Sequence, residues 1–321
     1  MTISLPQQPI RNNACFVPFL ILLVFACGCA VSHKTAVKPS QAPGPIKTAT
    51  EAQLIDQYNQ QAQVIHSLNA GVQMKLTAGS AYSGVIEQYH EVNGFILASR
   101  PASIRVIGQA PVISKNIFDM VSDGQTFSIY IPSKNKFIVG PANLERHADK
   151  PIENLRPQHL VDALFWTPIA ERAPVLIEEA REESGRYYVL TVVRRPSDSA
   201  ATASDDWGST DWEIARKIWF DRADLRIIRI ENFGVAGKVT SEVAYSNWQP
   251  AGALTYPWQI AVSRPGDDYR LQIIIKKLTL NEPLAPDRFV LAQPPGTELV
   301  PVGEDTGNRK PTGQNPKEPQ P

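Results

Sequence analysis

The sequence predicts a mainly β fold with a few helices (α+β): a strongly curved antiparallel sheet that covers one or two helices and encloses a hydrophobic interior. Three observations carry that prediction. Seven stretches alternate apolar and polar residues with a period of two, the pattern of a sheet with one buried face. Short clusters of Gly, Pro, Asn, Asp and Ser separate them. Only two segments carry helix-start signals, and two short helices cover only part of so long an apolar face. The sheet is therefore expected to wrap them and to leave an apolar interior with room for a greasy ligand.

The elements follow in chain order. Arg11 is the only basic residue ahead of the apolar run Phe16–Ala26, which is too short to span a hydrocarbon core of about 30 Å. Small residues follow it, so residues 1–28 read as an export signal. The segment Val24-Phe25-Ala26-Cys27-Gly28-Cys29-Ala30 resembles a bacterial lipobox, whose cysteine becomes the first mature residue and carries lipid. Cys29 fits best, because Ala26 and Gly28 then occupy the positions that want small residues; Cys27 is the alternative, and an ordinary cleaved signal with incidental cysteines is the other. Several acyl chains on Cys29, palmitate among them, would hold far better than one myristoyl group, at about 0.8 kcal/mol per buried CH₂. Ala30, not aspartate, follows the cysteine, and the resemblance to Gram-negative lipoproteins implies sorting to the outer membrane, with the body on its periplasmic face.

Residues 29–50 contain Pro39, Pro43 and Pro45 among Ser, Thr, Lys and Ala, and read as a disordered tether with an r.m.s. span of about 25 Å. Thr50-Glu51-Ala52-Gln53 is a capping box. It opens a helix whose apolar positions Leu54, Tyr58, Ile65 and Leu68 run to a stop at Asn69-Ala70-Gly71. The period then changes to two. Val72/Met74/Leu76, Phe127/Ile129/Ile131, Tyr187/Val189/Val193, Ile214/Ile218/Phe220, Val239/Val243/Tyr245, Trp258/Ile260/Val262 and Tyr269/Leu271/Ile273/Ile275 predict strands. Turns are expected at Ser122-Asp123-Gly124, Ser133-Lys134-Asn135, 221–224, 234–237 and 264–267. Pro157, followed by Leu160, Val161, Leu164 and Phe165, starts a second short helix. Residues 51–300 are thus expected to form one domain, and the proline- and glycine-rich residues 301–321 a disordered tail.

Composition excludes several function classes. The 321 residues hold 32 Lys and Arg against 32 Asp and Glu, so nothing in the net charge draws the chain to nucleic acid. All three cysteines, Cys15, Cys27 and Cys29, precede the body, which therefore has no disulfide, thiolate metal site or Cys nucleophile. No G-x-S-x-G elbow, phosphate loop, dinucleotide motif or H-E-x-x-H is present. No catalytic residue, cofactor or metal ligand is assigned. His159 reads as a capped or solvated surface residue. Asp205, Asp206, Asp211 and Glu213 around Trp207 and Trp212 read as a solvated acidic loop, with a calcium loop as the alternative. The six tryptophans, all between 166 and 258, either pack against neighbouring strands or line a ligand mouth.

Three stretches resemble the LolA/LolB family of periplasmic lipoprotein carriers and outer-membrane acceptors. Phe95–Arg105, running on to Val121-Ser122-Asp123-Gly124-Gln125-Thr126-Phe127-Ser128-Ile129-Tyr130, is similar to the carrier's Arg-Pro strand, Ser-Asp-Gly turn and aromatic strand. Phe289-Val290-Leu291-Ala292-Gln293-Pro294-Pro295-Gly296 is similar to the family's closing strand and Pro-Pro-x-Gly signature. Leu155–Leu160 is similar to the acceptor's short helix. The resemblance implies a half-open barrel whose helices close over a cavity for acyl chains, with no covalent chemistry. It places Arg100 as a lid latch, against the plainer reading of a solvated arginine before a proline. Gly108–Ile113 stands where the acceptor carries a membrane-touching loop, with Val112 and Ile113 at its tip, against a strand crossover that buries both. Candidates for lining the cavity are Phe127, Ile129, Phe220, Tyr245, Trp258 and Ile260. The chain departs from the pattern by joining a carrier-like Arg-Pro to an acceptor-like anchor.

The expected function is an anchored lipoprotein that binds acyl chains of lipoproteins or other lipids, in outer-membrane lipoprotein localisation. Its partners would be those chains, the membrane through the N-terminal lipid, and a periplasmic carrier protein. The alternative is an envelope-stress sensor that uses the same cavity fold. An esterase is disfavoured because no nucleophile and base pair up.

Overall fold

Helix α1 (Glu51–Val64) starts at the predicted cap: Thr50 Oγ1 accepts from Gln53 N and Gln53 Oε1 accepts from Thr50 N. The computed structural model describes residues 45–79, 87–88, 91–111, 115–142, 155–195 and 212–302. Leu54, Tyr58 and Ala62, spaced by four, bury one stripe of α1. The helix ends at Val64, short of the expected Asn69-Ala70-Gly71 stop, and Leu68 belongs to the next strand. Side chains from elsewhere take its last carbonyls. Asn281 Nδ2 donates to Val64 O at 2.7 Å and its Oδ1 accepts from His66 N at 2.7 Å, while Arg100 takes Ala62 O. Such a stop depends on residues far along the chain.

The strands are β1 (Ser67–Ala78), β2 (Glu87–Gln88), β3 (Val92–Ser99), β4 (Ser103–Gln109), β5 (Asn116–Ser122), β6 (Thr126–Ile131) and β7 (Lys136–Pro141). After helix α2 (Pro157–Leu164) come β8 (Val175–Glu182), β9 (Gly185–Arg194), β10 (Glu213–Asp221), β11 (Ile227–Phe233) and β12 (Val239–Ala251). Then follow β13 (Leu254–Arg264), β14 (Tyr269–Leu280) and β15 (Glu298–Pro301). They form one sheet in the order β15-β7-β6-β5-β4-β3-β1-β14-β13-β12-β11-β10-β9-β8, with β2 paired to β1. All pairs are antiparallel except β15 with β7. Both edges stay open, so the sheet does not close.

Turn chemistry links the hairpins as the sequence requires. Between β5 and β6, Asp123 Oδ1 accepts from Gln125 N and Thr126 N, and Gly124 takes the left-handed φ of +91°. Those backbone donors hold the Asp123 carboxyl below its ordinary pKa. Pro157 occupies the first turn of α2, which buries Leu160, Val161, Ala163 and Leu164.

Three expectations are corrected, two about register and one about a strand. On β9 the residues facing the core are Tyr188, Leu190 and Val192, not Tyr187, Val189 and Val193. Tyr187–Val192 are all buried, because Trp219 packs its ring on Tyr187 from the other face, so period alone could not choose the side. On β10 a bulge between Ile214 and Arg216 shifts the pairing. Arg216 then stands opposite the core residue Val192, and Ile214 opposite Val193. Near the C-terminus, Phe289–Gly296 forms no strand; a 3₁₀ turn (Pro286–Phe289) and extended chain lead to β15. Arg105 Nη1 donates to Arg288 O at 3.1 Å and its other nitrogens clamp Asp119, which fixes that segment outside β4 and β5.

The buried core is one cluster drawing on both helices and, in order along the sheet, on the strands from β5 through β9. A flat sheet forbids this. From β3 to β10 is six strand spacings, about 29 Å at ~4.8 Å each. Yet Arg100, just after β3, and Arg216 on β10 reach carbonyls of adjacent residues. The sheet must curl, and α1, α2 and residues 165–169 fill the curl.

Candidate functional site

The segment Ala163–Ile169 has an unusual set of partners. Its carbonyls need donors because α2 ends there, Phe165 N bonding back only to Val161 O. Six side chains supply them. From the sheet, Tyr245 Oη donates to Ala163 O at 3.0 Å and Tyr256 Oη to Leu164 O at 2.9 Å. From α1, Tyr58 Oη donates to Thr167 O at 3.0 Å, and Asn59 Nδ2 donates to Ile169 O at 2.9 Å while its Oδ1 accepts from Ile169 N. The remaining two are arginines.

Arg100 Nη2 donates to Ala62 O at 2.7 Å and to Trp166 O at 2.9 Å, and its Nε donates to Ile65 O at 2.9 Å. One guanidinium thereby ties the end of α1 to the chain leaving α2. Its carbon lies 5.2 Å from the Phe165 ring centroid, a cation–π contact. Burial lowers the pKa of Arg100, opposed by nearby Tyr58. The cis peptide joins Arg100 to Pro101. Arg216 Nη1 donates to Tyr58 Oη and Thr167 O, both at 2.7 Å. Burial raises the Tyr58 pKa, with Arg216 pulling the other way, so the hydroxyl stays a donor at neutral pH.

Beneath this stitched segment lies an aromatic cluster. Trp166 stacks on Tyr58 with centroids 6.1 Å apart, meets Tyr245 edge-on at 5.4 Å, and touches Trp248 at 6.0 Å. The ring packing and the polar stitches share residues, so lifting the segment breaks both.

Of the expected cavity-lining residues, Phe220, Tyr245 and Ile260 are buried together in this core, and Ile129 and Trp258 pack partly buried against it. Phe127 is buried but stands outside the cluster, on the far wing beside Gly140. Cys29, Val112 and Ile113 lie outside the described residues, as do Cys27, Trp207, Asp205, Asp206 and Asp211. Arg100 is not the solvated arginine of the plainer reading. His159 is not solvated either: its Nδ1 is 2.7 Å from Tyr269 Oη and the rings stack. Burial, with help from Arg264 and Arg156, lowers its pKa to about 3, so it is neutral at pH 7.

The residues missed in the sequence are Arg216, Asn59, Tyr256 and Asn281. Arg216 carried a signal, since Ile218 and Phe220 extended backward by two put a charge on the apolar face. Asn59 and Asn281 carried none, because surface asparagines look the same in sequence. Among the described residues no cluster of three or more His, Cys, Asp or Glu is placed to hold a metal ion. Nor, among them, is any helix long and apolar enough to cross a membrane.

A cleft of about 540 Å³ lies where residues 168–174 pass β9 and β10, lined by Arg172, Arg194, Arg195, Arg216 and Trp212 among others. None of the expected cavity-lining residues borders it.

No protein-family model and no curated protein sequence matches the chain. Solved structures do resemble it. A LolA superfamily protein from Nitrosomonas europaea aligns over 76% of this chain and 99% of its own, at 12% identity and a TM-score of 0.44. A DUF1329 family protein from Desulfovibrio piger aligns over 74% and 94%, at 12% identity and 0.47. A putative outer membrane lipoprotein-sorting protein domain from Vibrio parahaemolyticus aligns over 73% and 94%, at 10% identity and 0.40.

Proposed function

We propose that this chain is a lipid-anchored envelope protein that takes up acyl chains, of lipoproteins or other lipids, between its curled sheet and its helical layer. The observation that carries the reading is the triple hydrogen bond of Arg100 to Ala62 O, Ile65 O and Trp166 O. In this reading α1, α2 and residues 165–169 are a lid and Arg100 is its latch. The magnitudes allow it. Three charge-assisted bonds contribute about 1.5–3 kcal/mol each. A sixteen-carbon acyl chain with roughly 14 methylenes gains about 11 kcal/mol by burial at ~0.8 kcal/mol per CH₂. An acyl chain thus gains enough to offset the loss of the three Arg100 bonds.

The rest of the proposal comes from the sequence. Residues 1–28 direct export, Cys29 carries the lipid, residues 29–50 are the tether, and residues 51–300 are the binding domain. The anchor places the domain on the periplasmic face of the outer membrane, where it works in lipoprotein localisation with a periplasmic carrier as donor. Val112 and Ile113 are the proposed membrane-facing tip. Binding involves no covalent step.

A diazirine-bearing palmitate tests the reading on the full chain in lipid nanodiscs. Adducts are expected in the peptides that carry Phe220, Tyr245 and Ile260. Adducts confined to surface peptides would overturn it.

A further inference from the structure

We propose that the cleft beside residues 168–174 binds the anionic head of a single-chain amphiphile, a carboxylate or phosphate joined to an aliphatic body. The proposal goes beyond acyl uptake under the lid and does not require it, since the cleft is bordered by none of the expected cavity-lining residues.

Two chemistries line the cleft. One is cationic: Arg172, Arg194, Arg195 and Arg216 all line it, and among the described residues no carboxylate does. In a chain of zero net charge, four guanidiniums around about 540 Å³ make a local positive field that walls of low dielectric strengthen. Part of that charge is already engaged. Glu213 stands 3.8 Å from Arg194, Arg216 is held by Tyr58 and Thr167, and Arg195 lies 5.1 Å over the Trp212 ring. Arg172 is different. It is exposed on the cleft and, among the described residues, has neither an ion pair nor a side-chain hydrogen bond. Its planar fork matches a carboxylate or phosphate edge in the bidentate manner.

The other is apolar. Ile169 and Val192, both members of the buried core, line the cleft together with Trp212, which is half exposed at 51%. A bare inorganic anion would leave this apolar lining unused, and a neutral hydrocarbon would desolvate guanidiniums without pairing them, at a cost. A head that is charged and a body that is not satisfies both. The volume suits a head and a short length of chain, within the ordinary range for small-ligand sites.

Isothermal titration of the full chain in nanodiscs, with the heat of empty nanodiscs subtracted, tests this with decanoate, decyl phosphate, decanol and inorganic phosphate. Decanoate and decyl phosphate are expected to saturate one site beyond any that decanol fills under the lid, and whichever binds tighter at that site identifies the head as carboxylate or phosphate. Decanol and inorganic phosphate are expected to bind there at least tenfold more weakly. Arg172→Gln, at an exposed position, is expected to weaken both anionic amphiphiles at least fivefold. A second variant, Ala215→Trp, narrows the cleft and is expected to do the same. Decanol binding there as tightly as decanoate, inorganic phosphate binding as tightly as decyl phosphate, or an unchanged Arg172→Gln would each overturn the proposal. Failure of palmitate labelling under the lid would leave these titrations unaffected, so the two readings fail separately.

Discussion

Arg100 and Arg216 donate to the carbonyls of adjacent residues, Trp166 and Thr167, at 2.9 and 2.7 Å, from positions six strand spacings apart in the sheet. Two guanidiniums brought together across the sheet in this way fix both its curl and the placement of the segment they hold. Neither arginine points at a catalytic partner. Arg100 donates to three backbone carbonyls and Arg216 to one carbonyl and the Tyr58 hydroxyl, which makes both devices for holding chain in place, and the strength of that hold is measurable.

Tyr58 lies between the two arginines, 2.7 Å from Arg216 Nη1 and bonded to Thr167 O. Tyr58→Phe keeps the ring on Trp166 and removes only the hydroxyl. It should lower stability by about 1–2 kcal/mol, the cost of leaving buried partners short of a bond. Combined with Arg216→Met, the loss should be less than the sum of the single losses, because the two groups act together. Urea unfolding of the four proteins of this cycle measures it, and strict additivity would show that they do not.

His159 should make stability depend on pH. Its folded pKa of about 3 lies below the ordinary value near 6.5, so between those values the unfolded chain binds the extra proton. This contribution is complete above pH 6.5 and is lost as pH falls toward 3. Between pH 7 and pH 5 it amounts to about 2 kcal/mol. His159→Gln should flatten the urea midpoint across that interval, and a variant as pH-dependent as the wild type would assign the effect elsewhere.

Gly94 on β3 faces Gly108 on β4, and a Cβ there would lie 2.0 Å from Ile107 O. Backbone cannot swing aside as a side chain can. Gly94→Ala should cost at least about 2 kcal/mol. Gly266, with nothing within 4 Å of a built Cβ, is the control, and Gly266→Ala should stay within about 0.5 kcal/mol. Thermal unfolding of the two variants compares them directly.

Much of this fold was legible because its signals are local. The Thr50 capping box, the Ser122-Asp123-Gly124 turn, Pro157 at the start of α2 and the alternation Tyr269/Leu271/Ile273/Ile275 each depend on a few neighbouring residues. What failed depends on distant ones. The end of α1 is set by Asn281 and Arg100, and the face of β9 by Trp219 on the next strand. The inward turn of Arg216 is set by a one-residue bulge that leaves the composition of β10 untouched. The site divides the same way. Arg100 was singled out through a resemblance in its Arg-Pro context, whereas its carbonyl partners, like those of the hydroxyls of Tyr58, Tyr245 and Tyr256, are set by tertiary geometry that no spacing encodes.

The latch is tested most directly by the rate of fluorescent fatty-acid uptake and release in the full chain in nanodiscs, wild type against Arg100→Leu. Loss of the three bonds should speed both rates by at least tenfold while circular dichroism keeps the β signature of the wild type. Equal rates in the two proteins would contradict a latch at Arg100.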